Sequence, residues 1–365
     1  MQITEIKVGE LSDFIAGSLW QNIAPKPLTL MRAISQSKNP RALPEDVALI
    51  IAHEDNTLIA LVGLLPDYIH GEAGQPASSN SCWWINPKKG KHLAVPIFLK
   101  AFALCNQRMF MTDCTPHTQN IMERTHWFDF PDTEPGIRGF LKFNLHEVIP
   151  AKFPVLRKLK SLLQLSDEFL NFALIPYRLL KSNRIRKVAP KAEYRTTLNA
   201  ELYLFIEKHS MNEFTRRSGA DLEWIIKNPW IKEKTSTQPV APVEYPFSHL
   251  VDSFRQYFVH ISYAGQTIGL LFISIRDGHM KVPYVYFQED KAECMVNAIY
   301  HEAIVQKAVT LTVFNPKLVR RISLGSHPFL FRKKVKRLIA ISNQLSDLYQ
   351  SYPAIQDGDG DVAFT

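Results

Sequence analysis

Short β-branched apolar runs and longer amphipathic runs alternate along this chain. Residues 47–52 (VALIIA) and 58–65 (LIALVGLL) flank a polar turn at 53–56, the pattern of a β-hairpin. Residues 1–24 read as a strand followed by a helix, and 71–81, rich in Gly, Ser and Pro, predict a loop. Residues 82–85 (CWWI) then predict a short aromatic strand. A helix is expected over 92–106, a strand over 109–112, a second helix over 118–125 and a strand pair around 139–144.

The same succession returns further on. Helical patterns cover 198–209 and 214–229, and a hairpin follows with strands at 257–263 and 267–275 around Ala264-Gly265-Gln266. Asp277-Gly278 turns the chain into a strand at 281–287, then come a helix over 292–306 and a strand over 310–314. Two copies of one α+β fold are therefore expected, without evident residue identity. Each copy would be a mixed, mostly antiparallel sheet flanked by helices. Residues 150–190 differ: apolar positions recur at spacings of 3 and 4 with Lys and Arg between them, as in an amphipathic helix. They fit a linker packed on both halves or, alternatively, a helix lying on a membrane surface. The expected domains are 1–148, a helical basic linker at 149–193, 194–350, and a flexible polar tail at 351–365.

Composition narrows the class. The 365 residues are 46% hydrophobic and 21% charged, which excludes a mainly disordered chain and suffices for two cores. No window of roughly 18 uncharged apolar residues occurs, so no membrane-spanning helix is expected. Acidic residues near the N-terminus do not fit a signal peptide, and the expectation is a cytoplasmic protein, with peripheral contact to the inner membrane face through 150–190 as a further option. Cys82, Cys105, Cys114 and Cys294 form no CxxC pair and no HExxH is present, so a reduced protein without a metal is expected. The net charge of +8 gathers in 178–195 and 332–337. Helix-turn-helix, zinc-finger and RNP patterns are absent, so no specific nucleic acid is expected.

Residues 82–92 carry the candidate chemistry. A strand runs through Asn86, Pro87, Lys88, Lys89, Gly90 and Lys91 into a helix, and such a strand-loop-helix junction offers backbone amides and a helix dipole to an anion. With the hairpin before it and the strand and helix after it, this order resembles the GNAT superfamily of acyl-coenzyme A-dependent acetyltransferases. Arg32-Ala33, Asn39-Pro40-Arg41, Asp46-Val47 and Leu65-Pro66-Asp67 resemble a tandem-GNAT group of the type found in Bacteroidetes, and 112–128 (TDCTPHTQNIMERTHWF) resembles the family's last strand and helix. The resemblance covers 1–145. Over 194–335 it holds at the level of architecture, with Asp277-Gly278-His279 and Val313-Phe314-Asn315-Pro316 similar to a second repeat.

The resemblance implies two tandem GNAT-like domains and transfer of an acyl group, acetyl above all, from coenzyme A to a small-molecule amine. An amino sugar or surface-polysaccharide precursor is a suitable acceptor, and an aminoacyl-transfer-RNA donor is a weaker variant. It implies a donor site at Trp84, Ile85, Asn86, Lys88, Lys89, Gly90, Lys91, His92 and Leu93, candidate bases at Asp67, His70 and Asp113, and an acceptor cleft lined by His279, Tyr284 and Tyr286. The family's pyrophosphate loop is Gln or Arg, two variable residues, Gly, any residue, then Gly or Ala. Here Pro87 takes its first place and His92 its last, and Met122 stands where the family often has an acid Tyr. Those differences motivate the alternative, a catalytically degenerate tandem that binds a ligand or partner. If the fold is right, the strands ending near Ile85 and Thr112 diverge and leave a slot at Asn86.

Overall fold

Both hairpins form where the alternation places them. The computed structural model describes residues 1–70, 74–234 and 245–364. In chain order the first strands are β1 (Gln2–Lys7), β2 (Val47–Glu54), β3 (Thr57–Ile69), β4 (Gln75–Ile85), β5 (Met109–Met111), β6 (Phe128–Asp129) and β7 (Gly136–Phe140). Then follow β8 (Lys191–Arg195), β9 (Lys232–Glu233), β10 (Leu250–Val251), β11 (Phe254–Tyr263), β12 (Gln266–Arg276), β13 (His279–Phe287), β14 (Thr310–Val313), β15 (Phe331–Val335) and β16 (Ala340–Ser342). The helices begin with α1 (Leu11–Ala16), α2 (Ser18–Asn22), α3 (Leu30–Ser37), α4 (Ala94–Leu104), α5 (Pro116–Glu123) and α6 (Leu145–Lys152). They continue with α7 (Lys160–Ala173), α8 (Ile175–Val188), α9 (Ala200–His209), α10 (Gly219–Lys227), α11 (Ala292–Val305), α12 (Pro316–Leu324) and α13 (Ser346–Ser351).

Two seven-stranded sheets carry the architecture. Their orders are β1-β2-β3-β4-β5-β16-β6 and β8-β11-β12-β13-β14-β7-β15. They correspond strand for strand, with β4–β5 and β13–β14 the parallel pairs. The expected repeat of one α+β fold is present, and it contains an exchange. β16, from near the C-terminus, pairs antiparallel with β5 and β6, while β7 pairs antiparallel with β14 and β15. The strand pair expected around 139–144 is therefore a partnership of β7 with late strands, which no local pattern encodes.

The chain accordingly divides into one unit of 1–133, 196–254 and 337–365 and another of 134–195 and 255–336. In the first unit, Ile59, Ala60, Val62 and Leu64 of β3 join a core with Phe98 and Phe102 of α4, and Leu58 and Leu61 join Leu11, Leu28 and Ala33 beneath α1 and α3. In the second, Leu271, Ile273 and Val285 pack with Met295 and Ile299 of α11.

Three local expectations need correcting. The loop over 71–81 gives way to strand from Gln75, because pairing with β3 outweighs the weak β propensity of Ser and Pro; residues 71–73 lie outside the described residues. The linker is broken into α6, a 3-10 turn (Pro154–Leu159), α7 and α8, with Pro150, Pro154 and Pro176 punctuating it. The tail is packed rather than frayed: Asp359, Ala363 and Phe364 are fully buried, Phe364 against Trp224 and Trp230.

Candidate functional site

β4 positions the site through one extra residue. Gly63 of β3 faces Cys82 while Leu64 faces Asn80, so Ser81 is a bulge, braced by Asn80 Nδ2 donating to the carbonyls of Gly63 and Cys82 at 3.3 Å. β5 pairs with β4 at Ser78 and Ser79 only, before the bulge. Past it the two strands diverge as the sequence predicts, and the β5 side of 80–85 loses its ladder partner. A slot lined by main-chain donors and acceptors results. The second unit repeats this: β13 pairs with β14 over His279–Lys281, then carries an extra residue at Val282-Pro283. Proline suits a bulge because it has no N–H to lose.

The loop at the slot's mouth is drawn inward. Asn86 Oδ1 accepts from the amides of Lys88 (3.0 Å) and Lys89 (3.2 Å), and the Asn86 carbonyl accepts from Gly90 at 2.9 Å. Lys91 and His92, opening the 3-10 turn before α4, are the loop's remaining amide donors. Lys88, Lys89, Lys91 and His92 are exposed, whereas Gly90 and Leu93 are buried. Gly90 is required by packing, since a Cβ there would meet the Ile59 carbonyl at 2.5 Å. Trp84 and Ile85 are half-buried, and the Asn86 amide donates to the Ile59 carbonyl at 2.8 Å.

The candidate bases differ in what surrounds them. Asp67 is fully buried, with Oδ1 at 2.7 Å from Arg41 Nη1 and Oδ2 at 2.5 Å from Arg217 Nη2. Both oxygens are held by guanidinium groups, which suits a structural anchor and not a proton acceptor. Arg41 also reaches Asp221 at 2.9 Å and the carbonyls of Tyr68, Thr215 and Arg216. His70 stacks on Tyr352 with ring centroids 3.3 Å apart, and Asp113 is exposed just past β5. Met122 is buried in the core with Phe98 and Phe102 of α4.

In the second unit the residues expected to line a cleft are divided. Tyr284 and Tyr286 are buried, Tyr284 stacked on Phe272, so neither faces an open cleft; alternation on β13 buries them as packing. His279 is half-exposed, its Nδ1 2.9 Å from Thr310 Oγ1, and burial lowers its pKa ahead of the opposing pull of Glu147.

A cluster that sequence reasoning missed sits on the Ser81 bulge. Buried Arg32 donates from Nη2 to Ser81 Oγ (2.5 Å) and from Nη1 to the Tyr245 hydroxyl (3.3 Å), and its guanidinium lies 4.2 Å from the Trp230 ring centre. Only an unneeded cation on the apolar side of α3 could have signalled it. Residues 356–361 lie on the same strands. Thr112 Oγ1 donates to the Asp359 carbonyl and Thr215 Oγ1 to Asp359 Oδ1, at 2.8 and 2.7 Å.

These groups limit the chemistry. Burial pushes the Cys105 and Cys114 thiols up to about 12 and raises Cys82, which disfavours a cysteine nucleophile. Among the described residues no cluster of His, Cys, Asp and Glu could hold a metal. What remains is a strand slot with a cationic mouth.

No family model and no curated protein matches the sequence. Solved structures do. A conserved protein of unknown function from Enterococcus faecalis V583, described as a probable N-acyltransferase, superposes over 96% of this chain and 75% of its own, at 9% identity and a TM-score of 0.51. A GCN5-related N-acetyltransferase from Anabaena variabilis (9% identity, 93% of this chain and 72% of its own, TM-score 0.48) is also similar. So is a tandem GNAT protein from the clavulanic acid biosynthesis pathway (10%, 93% and 97%, TM-score 0.47). Four antiparallel strands, a bulge in the fourth and a diverging parallel fifth occur in both sheets, and this chain shares the fold of the probable N-acyltransferase from Enterococcus faecalis.

Proposed function

We propose that this chain is an N-acyltransferase taking its acyl group from coenzyme A in the first unit. The slot between β4 and β5, opened at the Ser81 bulge, carries the reading. Its main-chain groups match the amides of an extended thioester arm, and Lys88, Lys89 and Lys91 supply charge for phosphates at its mouth. The thioester supplies an activated carbonyl. An amine attacks it, the C–S bond breaks, and the thiolate leaves as the C–N bond forms. The attacking nitrogen gives its proton to solvent or to a base, for which His70 and Asp113 are the candidates. With Met122 unable to donate, the thiolate takes its proton from elsewhere. An amino sugar or a surface-polysaccharide precursor is the acceptor class we favour.

A second reading rests on the inward-turned loop. Amides committed to Asn86 are withdrawn from a pyrophosphate, which favours a tandem that binds a ligand without transfer. Calorimetric titration with acetyl-coenzyme A separates the two. Micromolar binding, about −8 kcal/mol, weakened at least about tenfold by Lys88, Lys89 and Lys91→Ala, supports the donor site. No heat up to millimolar concentration would leave the degenerate reading.

A further inference from the structure

α7 is mounted with its polar side inward. Asp167 is buried and accepts from the amides of Leu145 (2.8 Å) and His146 (2.9 Å) and from His146 Nδ1 (2.8 Å). Asn171, one turn on, accepts from the Phe143 amide and donates to its carbonyl. The opposite side carries Leu162, Leu165, Phe169 and Phe172, at helical spacing and every one exposed, Phe169 by 73% and Phe172 by 72%, and the 3-10 turn before it adds exposed Val155 and Leu159. Folding normally turns such a stripe to the core. An apolar stripe of this length facing outward marks a surface that meets another apolar phase.

Charge identifies that phase. Residues 150–190 hold nine Lys and Arg against two acidic residues, and one of the two, Asp167, is consumed inside. A second copy laid on this face would set Arg157, Lys158 and Lys160 against equally basic surroundings, with Glu168 the one acidic residue of 150–190 left to answer them. An anionic surface is complementary. Beside α8 lies a cavity of about 290 Å³ with an aliphatic floor including Leu179 and a rim of Lys142, Arg178, Lys181, Arg186 and Lys307. No acidic residue lines it. Lys142 is held below its ordinary pKa, first by burial and then by Arg178 and Lys307.

We propose that α7 and α8 form a docking surface for an anionic phospholipid leaflet, the apolar stripe entering the acyl boundary and the cation-rimmed cavity receiving a lipid phosphate. The order of apolar stripe and flanking basic residues is that of an interfacial helix.

The test is co-sedimentation of the full chain with phosphatidylglycerol vesicles and with phosphatidylcholine vesicles. Binding is expected to the former, and to fall at high salt. Phe169→Glu with Phe172→Glu, and separately Lys181→Glu with Arg186→Glu, each lower it at least about tenfold. Both pairs are to be checked for an unchanged melting transition. Failure of the wild type to sediment with phosphatidylglycerol overturns the proposal. So does binding indifferent to the Phe pair, or a dimer seen by light scattering that the Phe pair dissociates. Stabilisation by glycerol phosphate without vesicle binding would likewise overturn it, in favour of a soluble ligand.

Discussion

Asp67 illustrates how much a residue's role depends on distant chain. Its motif, Leu65-Pro66-Asp67, is legible in sequence, yet Arg217 lies 150 positions away and turns a candidate base into an ion-pair centre. Glu213 in the same unit makes a testable contrast. Its Oε1 accepts from Gln356 Nε2 at 2.7 Å while Oε2 has no hydrogen-bond partner among the described residues. Burial, then the Asp359 charge, raises its pKa well above 4.5. The folded state thus holds this proton more tightly than the unfolded chain, and the group's contribution to stability falls as pH rises from about 4.5 to the raised value. Glu213→Gln removes that penalty. The variant should melt above the wild type at neutral pH and with it at pH below about 4; equal midpoints at neutral pH would show the carboxylate is not strained.

Among the elements, hairpins were readable because a period of two and a polar turn are local signals. β2–β3 and β11–β12 form as the alternation predicts. The bulge at Ser81 was not readable, since it exists only in register against β3. The tail escaped for the opposite reason: five Asp and Gly residues in a row look solvated, but Gly360 lies on β4 and β5 with a φ of +69°. A Cβ there would meet Thr112 Oγ1 at 2.7 Å and Ser79 Oγ at 2.8 Å. Gly360→Ala should therefore cost more than about 1 kcal/mol in denaturant unfolding, whereas a loosely attached tail would tolerate it without change.

For the whole molecule the strand exchange decides what can fold alone. A fragment of 1–148 keeps β1 to β6 but lacks β16, which joins β5 to β6, and lacks Arg217, which neutralises Asp67. It should show no cooperative thermal transition by circular dichroism, and a sharp melt would contradict the exchange. Gains from such long-range pairing arrive only after large loops are closed, so neither half carries its own folding information.

The sequence by itself determined the local grammar: hairpins, the strand-loop-helix junction at Asn86, the doubled order of elements, and the amphipathic basic segment over 150–190. The elements in each are set by spacing and turn chemistry among near neighbours in the chain. Tertiary structure alone decided which strand completes which sheet, that the loop amides turn in on Asn86, that Arg32 sits on the Ser81 bulge, and that α7 faces its apolar side outward. For all but the loop the reason is shared. Pairing, burial and charge compensation are satisfied between residues far apart in the chain, where periodicity carries no information.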